Sequence, residues 1–204
     1  MTKPIMLITG TSRGIGLACA EYFQERYEIV GIARTPGKFV TEQGSVADEK
    51  FRQYIIDKYT PDVFINNAGV GGGGLPHEIF RINAEAAACF MLEFYQKMKI
   101  GNIINIASWV ATVTHIPSAP FDVIAYQSTK KLVKELSKEL SGKSDKPVKV
   151  TSLEPKMVDT AMAGPGAVGK MIQPVYIAET IDWVLHQPSW LNIDSMCISN
   201  HKEN

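Results

Sequence analysis

Net charge, cysteine pairs and long hydrophobic runs are all missing from this sequence of 204 residues. Its 21 Lys and Arg residues balance its 21 Asp and Glu residues, so the formal net charge is zero. A neutral chain lacks the broad basic surface that attracts nucleic acid or an anionic membrane. No apolar run approaches the length of a membrane-spanning helix. We therefore expect neither nucleic acid nor a membrane as a partner.

Cysteine and histidine are too sparse and scattered to predict a disulfide framework or a metal site. The three cysteines, Cys19, Cys89 and Cys197, form no C-x-x-C pair, and the four histidines show no metal-ligand spacing. The chain also does not open with the basic and then apolar segment of a signal peptide. We therefore expect no bound metal, and free thiols in a reducing compartment predict a cytoplasmic protein.

Short apolar segments alternate with segments of helical periodicity along the whole chain. This alternation predicts an α/β fold with a doubly wound parallel sheet, formed as a single domain over residues 1–204. In such sheets, ligands bind beyond the carboxyl ends of the strands. The predicted strands are 4–9, 28–33, 40–46 (the weakest), 62–66, 102–107, 148–153 and 195–199, and the predicted helices are 14–26, 48–59, 76–98, 121–140 and 175–187.

A glycine-rich turn lies between the first predicted strand and the first predicted helix. Glycine lets the backbone approach a pyrophosphate closely, and a helix N-terminus offers free N–H groups and a partial positive charge. The spacing is G-x-x-x-G-x-G, and a tight turn without a ligand is the alternative interpretation. The position after a buried strand favours a nucleotide site formed by Gly10, Thr11, Ser12, Arg13, Gly14, Ile15 and Gly16.

The end of the second predicted strand indicates which nucleotide this site prefers. A carboxylate there would bind the ribose 2′-hydroxyl of NAD and repel the 2′-phosphate of NADP. The strand instead ends in Ala33-Arg34-Thr35, and Arg13 lies in the glycine turn. Either arginine could be a solvated surface charge. Two cations without an acid nevertheless favour NADP(H), with a guanidinium bound to the phosphate.

Tyr126 and Lys130 are four residues apart in the predicted helix 121–140, so their side chains share one face. A free tyrosine has a pKa near 10, and a nearby ammonium favours its ionised form. The pair could therefore work as an acid/base, although a surface helix would show the same spacing by chance. Ser108 directly follows the apolar strand 102–107, where its hydroxyl could bind a substrate carbonyl.

Taken together, these motifs resemble those of the short-chain dehydrogenase/reductase family over nearly the whole chain. Asn66-Asn67-Ala68-Gly69 matches the N-N-A-G motif of that family, and the glycine turn matches its T-G-x-x-x-G-x-G motif. The resemblance implies a Rossmann-like fold, a three-layer αβα sandwich. It also implies a catalytic tetrad of Asn83, Ser108, Tyr126 and Lys130. The further cofactor-binding residues would be Thr35, Asn67, Ala68, Gly69, Pro155, Val158 and Thr160, together with Tyr126 and Lys130 of the tetrad.

The resemblance also implies a role for each residue of the tetrad. Tyr126 would donate a proton to a small carbonyl substrate as NADPH delivers hydride, and Ser108 would polarise that carbonyl. Lys130 would lower the pKa of Tyr126 and hold the nicotinamide ribose. Asn83 would position a water in a proton relay. By the same resemblance, a homo-dimer or homo-tetramer would form on helices 76–98 and 121–140, helped by the alanine-rich residues 84–88.

The chain departs from the family pattern at several places near the expected site. Ser45 stands where an adenine-binding Asp is frequent, and Lys156 replaces the usual Gly after Pro155. Lys156 either points to solvent or attracts an anionic substrate. The segment between Ser108 and Tyr126 is long, a run of four glycines occupies residues 71–74, and the glycine-rich residues 163–173 could form a lid.

Two other classes of function compete with the reductase. A non-catalytic NADP-binding regulatory or scaffold protein could use the same fold, although such a protein would be expected to lose the tyrosine or the lysine. A sugar-nucleotide epimerase or dehydratase would need a larger C-terminal region than the roughly 50 residues that follow Lys156. The sequence therefore favours an NADPH-dependent oxidoreductase.

Overall fold

The structure, a computed structural model, describes residues 2–143, 145–163 and 171–200 and contains a seven-stranded sheet. All strand pairs are parallel, in the order β3-β2-β1-β4-β5-β6-β7, which confirms the predicted doubly wound α/β fold. The strands are β1 (Ile5–Thr9), β2 (Glu28–Ala33), β3 (Glu42–Gln43), β4 (Val63–Asn66), β5 (Gly101–Ile106), β6 (Val148–Pro155) and β7 (Ser195–Ile198).

Helices cover both faces of the sheet and create the three layers. The helices are α1 (Gly14–Phe23), α2 (Glu49–Lys58), α3 (Pro76–Phe80), α4 (Ala87–Lys97), α5 (Phe121–Ser141) and α6 (Pro174–Leu185). One hydrophobic core joins the sheet to α2, α4 and α5, where Ile55, Phe94 and Val133 are buried. The other joins it to α1 and α6, where Phe23 and Ile181 are buried.

The predicted helix 76–98 is divided into three parts. Between α3 and α4, the chain forms a π-helical segment from Arg81 to Ala86. Such wide turns are rare and often occur at functional sites. Periodicity predicted the whole helix but not this change of hydrogen bonding, because a single wide turn barely alters which residues face the core.

The third strand is much shorter than predicted, since only Glu42 and Gln43 pair with β2. Before these residues, the Thr41 N–H still donates to the Gly31 carbonyl at 2.8 Å, but the Gly31 N–H donates to the Thr41 hydroxyl at 3.0 Å and not to a backbone carbonyl. The chain thus meets β2 partly through a side chain, and the predicted strand 40–46 was wrong in its extent.

Parallel strands bring the predicted site residues to one edge of the sheet. The order reverses between β1 and β4, which are neighbours although they are far apart in sequence. A crevice forms at such a switch point, beyond the carboxyl ends of the strands. The glycine turn follows β1, Arg34 follows β2, Asn67 follows β4 and Ser108 lies two residues after β5.

Within the described residues, no helix combines the length and the apolar composition that crossing a membrane requires. The same residues contain no cluster of three or more His, Cys, Asp or Glu side chains that could hold a metal ion. Most of the lid predicted at 163–173 lies outside the described residues.

Candidate active site

The glycine turn between β1 and α1 has a conformation that side chains would disturb. Gly10 and Gly14 have φ angles of +83° and +62°, in the left-handed region that glycine adopts most readily. A side-chain carbon at Gly16 would lie 2.3 Å from the Gly10 carbonyl oxygen. Each of the three glycines is therefore required by the backbone. The turn closes on β2, because the Gly10 N–H donates to the Ile32 carbonyl at 2.7 Å.

Helix α1 directs its N-terminus at this turn. Among the described residues, no side chain caps the helix at Arg13, and its first turn contains no acidic residue. The first N–H groups of a helix have no partner within the helix, and the helix dipole favours an anion there. The turn and α1 thus provide a place for a phosphate group.

A cleft of about 440 Å³ opens along the turn and the neighbouring strand ends. This volume lies within the usual range of small-molecule sites, roughly 300–1,000 Å³. Eleven residues predicted to bind cofactor line the cleft: Gly10, Ser12, Arg13, Gly14, Ile15, Arg34, Thr35, Asn67, Ala68, Gly69 and Thr160. The cleft is also lined by nine residues outside that prediction: Ile32, Ala33, Gly44, Ser45, Val46, Val70, Ile82, Ala161 and Met162.

Six of the predicted cofactor-binding residues do not line the cleft: Thr11, Gly16, Tyr126, Lys130, Pro155 and Val158. Thr11 is fully buried and its hydroxyl donates to the Phe39 carbonyl at 3.2 Å. Gly16 packs against the turn itself. Pro155 is the last residue of β6, and Val158 is buried in the core. Val70 and Ile82 could also have been predicted to line the cleft, because Val70 follows the N-N-A-G motif directly and Ile82 precedes Asn83.

The N-N-A-G loop is tied to both neighbouring strands. The Thr9 hydroxyl accepts hydrogen bonds from the N–H groups of Asn67 and Ala68, both at 2.9 Å. The Asn67 side chain donates to the Thr9 carbonyl at 2.8 Å. Asn66 donates to the Asn105 side chain at 2.9 Å inside the sheet. These bonds fix the loop at the switch point, next to the glycine turn.

Asn83 lies in the π-helical segment and is almost fully buried. Its side chain accepts a hydrogen bond from the Val70 N–H and donates to the Val70 carbonyl, both at 2.8 Å. The side-chain amide of Asn83 thus pairs with both backbone polar groups of Val70, in the way that a neighbouring strand would. In the structure, Asn83 orders the wall of the cleft at Gly69 and Val70.

The side chains of Ser108 and Tyr126 lie near each other, close enough for the Ser108 hydroxyl to influence the pKa of the phenol. Ser108 is buried and begins a short 3₁₀ turn, whereas Tyr126 lies on α5 and is partly buried. Burial raises the pKa of Tyr126, and the nearby Ser108 hydroxyl acts in the opposite direction. The phenol therefore keeps its proton at neutral pH, which suits a proton donor.

Lys130 lies one helical turn from Tyr126 and is buried. Its Nζ donates to the Ile106 carbonyl at 2.8 Å and lies 5.8 Å from the centre of the Tyr126 ring. Burial lowers the pKa of Lys130 to about 8. A side-chain carbon at Gly69 would lie 3.7 Å from this Nζ, so Lys130 stands directly behind the cleft wall.

The expected direction of the Tyr126 pKa shift was wrong for the structure. An ammonium at Lys130 was expected to lower the pKa of Tyr126, but that pKa is raised. Burial disfavours the charged form of each group, so it acts on the two pKa values in opposite directions. Desolvation is the largest influence on both pKa values.

The structure shows the surroundings of Ser45, Asp48 and Lys156, near which the chain departs from the family pattern. Ser45 lines the cleft, but its hydroxyl accepts from the Ala47 N–H at 3.2 Å. Asp48 caps α2 by accepting from the Phe51 N–H at 3.1 Å. Lys156 is exposed, as the solvent interpretation predicted, and lies outside the lining of the cleft.

The sequence matches the family model for short chain dehydrogenases over residues 4–167. An uncharacterized oxidoreductase of Staphylococcus epidermidis is 28% identical, and the alignment covers 96% of each chain. A serine 3-dehydrogenase of Rhizobium radiobacter is 27% identical, with 94% of this chain and 91% of the relative covered.

Solved structures show the same fold at lower sequence identity. The closed form of a serine dehydrogenase complexed with NADP+ superposes with a TM-score of 0.79 at 19% identity, covering 95% of this chain and 94% of that chain. A 3-ketoacyl-(acyl-carrier-protein) reductase from Brucella melitensis, complexed with NADH, gives a TM-score of 0.83 at 17% identity, covering 97% of both chains.

Proposed function

Since this chain belongs to the short chain dehydrogenase family, we propose that it is an NADPH-dependent oxidoreductase that interconverts a small carbonyl compound and its alcohol. The family match also confirms the resemblance inferred from the sequence motifs. The observation that carries the proposal is the position of the buried Lys130, whose Nζ lies 5.8 Å from the centre of the Tyr126 ring and directly behind Gly69 in the cleft wall.

The shape and charge of the cleft fit a dinucleotide phosphate. The glycine turn and the N-terminus of α1 would hold the pyrophosphate. Arg13 and Arg34 both line the cleft, and no carboxylate lies among its described lining residues. This balance favours a 2′-phosphate over a free 2′-hydroxyl. The relative solved with NADP+ adds support, whereas the one solved with NADH keeps NAD as the competing cofactor.

The catalytic side chains would act on the substrate oxygen. NADPH, when bound, supplies hydride to the carbonyl carbon. The Ser108 hydroxyl would donate a hydrogen bond to the carbonyl oxygen, and Tyr126 would transfer its proton to that oxygen. Lys130, close behind Gly69, would contact the ribose next to the nicotinamide. Asn83 would hold the cleft wall at Val70 in place through its two hydrogen bonds to the Val70 backbone.

NADPH oxidation in the presence of a carbonyl panel tests this function. Because one relative is a serine 3-dehydrogenase, the panel should include β-hydroxy acids assayed in the reverse direction. Tyr126→Phe should lower kcat by at least about 100-fold, the contribution expected of a general acid. Tyr176→Phe is the matched control, since Tyr176 is exposed on α6. Cofactor binding without turnover on any substrate would favour a regulatory or scaffold protein instead.

Cofactor preference has its own test at Arg34. Arg34→Asp places a carboxylate where NAD-specific sites carry one and removes a cation from the cleft. The ratio of kcat/KM for NADPH to that for NADH should fall at least about tenfold, equivalent to roughly 1.4 kcal/mol. Lys50→Asp makes the same charge change on an exposed residue of α2 and should leave the ratio unchanged.

A homo-dimer or homo-tetramer remains part of the proposal, built on α4 and α5. Leu92, Ile124 and Leu132 on these helices are partly exposed, which supports an apolar contact between copies. The alanines contribute less than expected to such a contact, because Ala86 and Ala87 are buried inside the protomer. Leu132→Glu should shift the mass measured by light scattering to that of the monomer.

We also propose the cytoplasm as the compartment.

A further inference from the structure

Residues 44–47 form one wall of the cleft, between β3 and α2, without offering it a charged side chain. Gly44, Ser45 and Val46 line the cleft. Ser45 and Asp48, which could have reached a base, are engaged with the Ala47 and Phe51 N–H groups. A ligand here would meet backbone groups, apolar surface and the Ser45 hydroxyl, whose oxygen already accepts from the Ala47 N–H. The position of this wall therefore decides how well a ligand fits the cleft.

Arg52 holds this wall from behind. It lies on α2 and is 5% exposed. Its Nη1 donates to the Val46 carbonyl at 2.9 Å, and its Nη2 contacts Glu85 Oε1 at 2.6 Å. A buried guanidinium must keep such partners, because an uncompensated buried charge is strongly destabilising. The two bonds thus connect the wall to the π-helical segment that contains Glu85.

The π-helical segment contacts the cleft on two sides. Arg81 donates to the Ala47 carbonyl at 3.1 Å, so a second arginine holds the same wall. Ile82 lines the cleft directly, and Asn83 holds the opposite wall through Val70. One short segment therefore sets the distance between the wall at 44–47 and the N-N-A-G loop.

We propose that Arg52 is a positioning residue for the adenine half of the cofactor. It lies outside the lining of the cleft and acts through the Val46 carbonyl, which it holds at a fixed distance from the glycine turn. The wall follows β3, next to β2 and the proposed 2′-phosphate site at Arg34. This inference rests on the proposed function, because it assumes that the cleft binds NADPH.

Adenosine 2′,5′-bisphosphate, which contains only the adenine half of NADPH, separates this role from catalysis. Arg52→Met preserves much of the side-chain volume and removes both hydrogen bonds. Calorimetry should show at least about tenfold weaker binding of the bisphosphate and of NADPH. At saturating NADPH, kcat should change less than about twofold, so the effect lies in KM. Arg52→Lys, which keeps the charge but has a single donor nitrogen in place of the guanidinium fork, should recover part of the affinity.

Two further variants keep the test decisive. Glu85→Gln weakens the ion pair of Arg52 without removing the buried guanidinium. It should also weaken binding of the bisphosphate, by a smaller factor than Arg52→Met does. If Arg52→Met fails to fold, the Glu85→Gln variant alone tests the positioning role of Arg52. Arg26→Met removes an ion pair of 2.8 Å between the turn that follows α1 and Asp182 of α6, away from the 44–47 wall, and should leave binding unchanged.

Each outcome decides something definite. Unchanged bisphosphate affinity in folded Arg52→Met and Glu85→Gln would overturn the positioning role and leave the proposed function intact. A loss of kcat with unchanged affinity would overturn it as well. If the wild-type protein bound neither the bisphosphate nor NADPH, the proposed function would fall together with this inference.

Discussion

Replacing Lys130 with methionine should change the pH dependence of stability by an amount that follows from burial. Folding lowers the pKa of this lysine from 10.5 to about 8. Below that pKa, the folded protein carries a buried ammonium that the unfolded chain keeps in water. The penalty is fully present at neutral pH and disappears as the pH rises through the window from about 8 to 10.5.

The size of this penalty follows from the two pKa values. At about 1.36 kcal/mol per pKa unit, the buried lysine costs about 3 kcal/mol at pH 7 and about 1.4 kcal/mol at pH 9.5. Methionine has no charge and removes this dependence. It also leaves the Ile106 carbonyl without its 2.8 Å partner, a cost of about 1–3 kcal/mol that does not vary with pH.

Urea unfolding of both proteins at several pH values measures the effect. The free energy of unfolding of the wild type, relative to Lys130→Met, should rise by about 2 kcal/mol between pH 7 and pH 9.5. Groups that titrate identically in both proteins cancel in this difference. A difference that stayed constant with pH would refute the lowered pKa. A difference that fell with pH would refute the dominance of burial.

Two further predictions concern the cleft walls. Asn83→Ala leaves the Val70 N–H and carbonyl without their 2.8 Å partners, and it should lower the free energy of unfolding by about 2–3 kcal/mol, measured with urea; an unchanged midpoint would contradict this role. Gly16→Ala places a carbon 2.3 Å from the Gly10 carbonyl, so the turn must move, and NADPH titration should show at least about tenfold weaker binding. Retained affinity would mean that the turn does not contact the cofactor.

The sequence was most informative where local rules are strict. The left-handed glycines of the turn, the alternation of strands and helices and the spacing of Tyr126 and Lys130 each follow from backbone sterics or helix geometry. Parallel strands then bring their carboxyl ends together without further information. For this reason, eleven residues predicted to bind cofactor line one cleft in the structure.

Features that depend on packing across the chain could not be predicted in this way. Arg52 and Glu85 are separated by 33 residues, and nothing near either one indicates their contact. The π-helical segment leaves the pattern of buried residues almost unchanged. The pKa of Tyr126 depends on how deeply the fold buries it, so a rule based on a neighbouring lysine gave the wrong direction.

Deuterium transfer tests the central claim most directly. The wild-type protein would be incubated with NADPH deuterated at the transferring position of the nicotinamide and with a carbonyl compound that supports NADPH oxidation. We expect one deuterium on the carbinol carbon of the alcohol, and at least about 100-fold slower formation of this product by Tyr126→Phe. An alcohol without the label, or an unchanged rate in the variant, would contradict the central claim.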